Sequence, residues 1–154
     1  MTAVTLQDLQ ARIGQVIGQS AWLTLDQQRI DGFADLTEDH EFIHVDLERA
    51  AQTPLGSTIA HGFLTMSMLS RMAEDVVPAL AGSDMSLNYG LDRLRFITPV
   101  KSGARVRGVF TLLEVNSRGI DQVVTRWAVI MEIEGEPKPA LAVEWLKLSY
   151  LASG

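Results

Sequence analysis

The sequence predicts an α+β fold in which an antiparallel sheet wraps one long, buried helix. Three observations lead there. Residues Ile59–Val77 read as a helix that is apolar almost all round, and such a helix must be covered on every side. Four runs then follow, Met85–Pro99, Ala104–Asn116, Asp121–Glu134 and Pro139–Tyr150, rich in Val, Ile, Leu, Trp and Thr, the composition of strands. The breaks between them, Lys101-Ser102-Gly103, Ser117-Arg118-Gly119 and Gly135-Glu136-Pro137, are short turn signals. A helix followed by a run of strands segregates into α+β rather than alternating α/β.

The elements before the long helix are shorter. Residues 3–18 are expected to form an amphipathic helix ending near Gly14 or Gly18, and Ser20–Leu25 a first strand. Asp26 suits an N-cap, because its carboxylate can accept from unpaired N–H groups of the first turn. The helix it starts should run to about Leu36, with Ile30, Phe33, Ala34 and Leu36 inward. From Thr37 to Asp46 the period is lost, and six of ten residues are ionisable. Asp46 can cap a short helix through Ala51, Pro54 and Gly56 mark a loop, and Pro78 ends the long helix. Its 154 residues fit a single domain, 1–154.

Composition narrows the function classes. Net charge is −6, from 13 basic and 19 acidic side chains, which argues against a nucleic-acid binder. There is no cysteine, so neither disulfides nor thiolate chemistry is expected. Met1–Asp8 lacks the basic start and apolar run of a signal peptide. The nearly apolar stretch Ile59–Ala73 is too short to span a bilayer. A soluble, cytoplasmic protein that uses no membrane partner is expected.

All three histidines, His40, His44 and His61, fall within residues 40–61. His40-Glu41-Phe42-Ile43-His44 matches the zinc-protease pattern H-E-x-x-H. That chemistry needs both histidines on one face of a continuous helix, and here the pattern lies between a helix ending near Thr37 and a new N-cap at Asp46. No metal is expected. The pair Asp39 and His44 offers a better candidate: a carboxylate and an imidazole on one cleft wall can share a water and move its proton. A surface ion pair is the plain alternative for these two. At the head of the long helix stands Ala60-His61-Gly62. The helix N-terminus carries unpaired donors and partial positive charge, and a Gly62 N–H left uncovered can polarise a carbonyl. The plain alternative is that Gly62 only permits close packing.

At these residues the chain resembles the MaoC-like dehydratases, or hydratase 2 family. The resemblance rests on Asp39, four residues, then His44, followed by Ala60-His61-Gly62, and on Asn88–Val100 and Gly103–Arg107; it covers about residues 10–150. It implies the hot-dog fold, a long central helix wrapped by an antiparallel sheet. It implies that Asp39 and His44 are catalytic and hold the water. It implies that Gly62, with His61 and Ser70, lies on the oxyanion and substrate-binding side. No cofactor is implied, coenzyme A being part of the substrate. It also implies an acyl-coenzyme A or acyl-carrier thioester as partner and a homodimer that closes the cleft. The chain departs from the common family pattern, having Glu41-Phe42 where that pattern has Asn-Pro. It is more similar to the subgroup resembling nodulation protein N, with His-Gln-Trp-Ile-His there.

The implied reaction is (R)-specific, reversible addition of water to a trans-2-enoyl thioester. A hot-dog thioesterase and a non-catalytic acyl-thioester-binding subunit are the alternatives. Arg93, Arg95, Lys101 and Arg105 are candidates for the carrier's phosphates.

Overall fold

A computed structural model describes residues 3–152. The chain runs α1 (Leu6–Gln10), β1 (Val16–Gln19), β2 (Leu23–Leu25), α2 (Gln27–Thr37), α3 (Phe42–Val45), α4 (Leu47–Ala51) and α5 (Gly62–Val76). Four long strands follow: β3 (Ser83–Phe96), β4 (Ala104–Arg118), β5 (Gln122–Ile133) and β6 (Leu141–Leu151). The strands form one antiparallel sheet ordered β1-β4-β5-β6-β3, with β2 also paired to β4. Strands as long as β3, β4 and β5 must coil, because each strand twists, and the sheet curls around α5.

The α5 face against the sheet is formed by Leu64, Met68, Leu69, Met72, Ala73 and Val76, all buried. They meet Phe110, Leu112, Trp127, Val129, Met131 and Trp145 from the inner sides of β4, β5 and β6. Strict alternation on β5 places every second side chain inside, as a sheet with one covered face requires. Gly108 lets helix and sheet approach: a Cβ there would lie 2.6 Å from the Phe110 ring and 3.3 Å from Met72 Sδ.

Four expectations need correction. Residues 3–18 are not one helix. Only Leu6–Gln10 is helical, and Val16–Gln19 is a strand on β4; the bond from Gly14 N–H to Leu112 O turns the chain onto the sheet. The expected strand Ser20–Leu25 is only Leu23–Leu25; Ser20 meets the middle of β4 through its hydroxyl, which accepts from Gly108 N–H, and through its own N–H, which donates to Gly108 O. Leu36 is 87% exposed rather than inward; Ile30 and Ala34 already fill the space under α2. Finally, α5 begins at Gly62, not Ile59. Ile59 and Ala60 are extended, with Ala60 N–H donating to Val100 O. Only one side of α5 is covered in the single chain: Phe63, Ser67, Ser70 and Glu74 are exposed.

Candidate active site

The site is assembled where three short segments cross the start of α5. α2 is stopped by Glu38, which takes a left-handed conformation, φ 61°, and turns the chain back over the helix end. Asp39, His40 and Glu41 follow without regular structure, and α3 is a single turn carrying His44. The Asp46 carboxylate then accepts from Arg49 N–H and starts α4. The H-E-x-x-H pattern is therefore split. His40 is exposed, and its Nε2 lies 3.0 Å from Asp35 on α2. That hydrogen bond, with the Asp35 charge, raises the His40 pKa above its ordinary value.

His44 is buried and held on three sides. Its Nδ1–H donates to the Ile59 carbonyl at 2.7 Å. A carbonyl only accepts, so this bond puts a proton on Nδ1, and in the neutral ring the lone pair is then on Nε2. Its own carbonyl accepts from the Gln27 amide at 2.8 Å, and the Gln27 Oε1 accepts from the Thr58 hydroxyl at 2.6 Å. Ile59 N–H in turn donates to Ile43 O. The His44 ring stacks on His61, centroids 3.8 Å apart and planes 25° from parallel.

His61 is 2% exposed. Its Nε2–H donates to the Asp39 backbone carbonyl at 2.9 Å, and Phe33 of α2 lies against its ring at 5.0 Å. Its Nδ1 is buried without a partner among the described residues. His61 thus ties both members of the candidate pair to the head of α5, one through its ring face and the other through a hydrogen bond. Polar atoms of Asp39, His44 and His61 lie within 4.8 Å of one another.

That set has the composition of a metal site, and two of its members are stacked imidazoles. Each imidazole ligand must aim a lone pair, in its ring plane, at one ion about 2.0–2.1 Å away. Rings stacked face to face at 3.8 Å send their lone pairs along nearly parallel planes. Each ring also gives one nitrogen to a backbone carbonyl, a contact that metal-bound imidazoles commonly make as well.

Gly62 is the first residue of α5, after His61 at the N-cap, whose side chain makes no capping bond. A Cβ at Gly62 would lie 3.1–3.2 Å from three atoms of the Phe96 ring, so the plain packing reading of this glycine holds. The chemical reading is compatible with it, since N–H groups of a first helical turn lack helical acceptors. A cavity of about 320 Å³ opens here, lined by His44, Ile59, Gly62, Thr65, Phe96 and Val100 among others. Asp39 is exposed at the edge of this assembly and does not line the cavity.

Asp39, His44, His61 and Gly62 are thus brought together. Ser70 is not among them; it lies two turns further along α5, its hydroxyl accepting from the Asn88 amide at 3.3 Å. Gln27 and Thr58 escaped notice in the sequence. A glutamine after an N-cap reads as a surface residue, and only the fold brings it under His44. Of the phosphate candidates, Arg93 pairs with Glu144 and Arg105 with Glu134, both at 2.8 Å. Arg95 donates to the Leu94 carbonyl. Lys101 is in no ion pair among the described residues, and it lines a cavity beside Ile59 and Thr98.

The fold is that of a hot-dog protein, and comparison with known proteins gives its family. The MaoC like domain family matches residues 8–132, and the chain belongs to it. Nodulation protein N of Rhizobium leguminosarum bv. viciae is 52% identical over 149 residues, 96% of this chain and 92% of that protein. 3-Hydroxyacyl-thioester dehydratase Z of Mycobacterium tuberculosis is 42% identical, covering 93% of this chain and 94% of the relative. Among solved structures, a monoamine oxidase regulatory protein from Archaeoglobus fulgius superposes with a TM-score of 0.81 at 21% identity, over 99% of this chain and 100% of that one. The (R)-hydratase from A. caviae gives 0.71 at 22%, over 86% and 95%. These last two likenesses speak for the fold alone.

Proposed function

We propose that the chain is an (R)-specific enoyl-thioester hydratase, adding water reversibly to a trans-2-enoyl thioester to give an (R)-3-hydroxyacyl thioester. The observation that carries this reading is the fixed tautomer of His44. With Nδ1–H committed to Ile59 O, Nε2 is left as a base beside Asp39 and next to the head of α5. A water between Asp39 and His44 loses a proton to the pair as its oxygen bonds to C3. The electron pair of the C2–C3 double bond moves towards the thioester carbonyl. Gly62 N–H meets the negative charge that develops on that oxygen, and C2 then takes a proton from the pair. Atoms balance as one water added, with no metal or redox cofactor. The dehydratase name of a 42% identical relative supports the same reaction class.

The carrier is coenzyme A or an acyl carrier protein, and Lys101 and Arg95, which are in no ion pair among the described residues, are the candidates for its phosphates. The acting unit is a homodimer. β3 is an edge strand of 14 residues, hydrogen-bonded on one side only. Met85, Leu87, Tyr89 and Leu91 on it, and Phe63 on α5, are exposed in the single chain. A long apolar edge is a template for pairing with another strand, and a two-fold axis there would also cover the bare side of α5. The N-terminal segment does not do so: Val4 and Leu9 close the far end of α5, with Val4 N–H donating to Ala79 O.

The test is direct. Crotonyl-coenzyme A should lose its enoyl absorbance on addition of the protein without release of free thiol. Thiol release would mean thioester hydrolysis, and no change in either signal would leave only a binding role.

A further inference from the structure

The inner wall of the sheet changes character along α5. Near Gly62 it is apolar, with Phe96, Val100 and Ala140. Further along β6, beyond the buried Val143 and Trp145, the half-buried Lys147 and the buried Ser149 line a cavity together with Thr125 and Trp127. Lys147 is in register with Asn88 of β3 and Thr125 of β5, and Ser149 with Ser86, their hydroxyls 3.4 Å apart. Opposite them, Ser70 of α5 receives the Asn88 amide. Six polar side chains thus form an island, with Thr125 and Ser149 buried, Lys147 half-buried and Ser70, Ser86 and Asn88 exposed.

Lys147 is the only cation of the island, and it has no counter-charge. It takes part in none of the ion pairs among the described residues. Its Nζ lies over the Trp145 ring, 5.3 Å from the centroid. Burial pushes its amine below the ordinary lysine value. Two exposed carboxylates, Glu74 and Asp84, also line the same cavity; Glu74 lies 3.8 Å from Arg71.

The space for a ligand follows the helix. The cavity at Gly62 and Thr65 is succeeded by one of about 470 Å³ against Met66–Ser70, walled by Trp145 and Asn88. Another of about 310 Å³ shares Ser70 and reaches Lys147. Gly62 and Ser70 are eight residues apart, about 12 Å along a helix, the extended length of roughly ten chain carbons.

We propose that the polar island around Lys147 receives a carboxylate at the far end of the acyl chain, so that the substrates are enoyl thioesters of ω-carboxyacyl chains of about ten carbons. This rests on the enoyl-thioester reading of the site. A methyl-ended chain of that length would strip water from Lys147 and return nothing. A carboxylate supplies the missing charge and accepts charge-assisted hydrogen bonds from the ammonium and the neighbouring hydroxyls.

The experiment compares calorimetric binding of decanoyl-coenzyme A with that of its ω-carboxy counterpart. Both are saturated and cannot be hydrated, so the result is independent of the crotonyl-coenzyme A assay that tests the reaction. The carboxylated ligand should bind the wild-type protein about tenfold or more tighter, the scale of one hydrogen bond to a charged group. Lys147→Met should reverse the order, and Lys147→Arg should keep it. Equal binding, or tighter binding of decanoyl-coenzyme A by wild type, overturns the proposal without need of a variant. A carboxylate preference that survives in a folded Lys147→Met protein overturns it as well.

Discussion

Replacing His44 with Asn separates the chemistry of this residue from its place in the fold. The Asn amide can reproduce the Nδ1–H donor, so the Ile59 carbonyl, 2.7 Å from the imidazole, stays paired. What disappears is the Nε2 base and the stacking surface for His61. Leaving a buried acceptor unpaired costs about 1–3 kcal/mol; His44→Asn avoids that loss, whereas His44→Ala incurs it together with a cavity. Loss of a general acid–base group lowers the rate by about 10²–10⁴-fold, or roughly 3–5 kcal/mol of barrier. The expected result is an Asn variant more stable than the Ala variant, with both depressed in kcat on crotonyl-coenzyme A. Thermal melts and initial rates on the two proteins decide it. Turnover by His44→Asn within a few fold of wild type would refute the role of Nε2. Restored turnover in His44→Asn but not His44→Ala would show that the Ile59 bond, not the base, was what mattered.

Asp39→Asn should lose turnover by a similar factor while melting near wild type, because its carboxylate is exposed and makes only a long, 3.5 Å contact with Glu41 N–H. Chelator treatment should leave activity unchanged; loss on chelation with recovery on adding zinc would revive a metal role for Asp39, His44 and His61. Lys147→Met should raise the melting temperature at neutral pH by about 2–4 °C, solvent screening keeping the effect small. The sign follows from linkage. A lysine whose folded pKa is lowered carries its full penalty below that pKa, and the penalty fades as pH rises from there towards about 10.4, so the gain should shrink at alkaline pH. In sedimentation at micromolar concentration the protein should run as a dimer, and Leu87→Lys on the exposed edge strand should shift it to monomer with loss of activity; an active wild-type monomer would remove the shared-cleft model.

Much of this protein was legible in one dimension. The apolar run before Pro78 and the four strand-like runs after it specify a helix inside an antiparallel sheet, because burial leaves its mark as a period in hydrophobicity. The turn signals after Val100 and Glu134 fall where the strands reverse, while after Asn116 only Gly119 does, Ser117 and Arg118 still belonging to β4. The segment that carries Asp39 and His44 stood out too, since ionisable residues without a period have no core to build. The N-terminal part was not. Val16–Gln19 is a strand only because β4 offers it an edge, and local preference cannot foresee that partner. Tertiary structure alone decided that His40 turns away to Asp35 while His61 comes under His44, although the sequence presents His40 and His44 as a motif. It also brought Gln27 to the His44 carbonyl and set Lys147 among hydroxyls opposite Ser70. Side chains from distant segments meet only when the sheet has closed on the helix. Which of their polar groups then find partners is a property of that closed space, not of any stretch of chain.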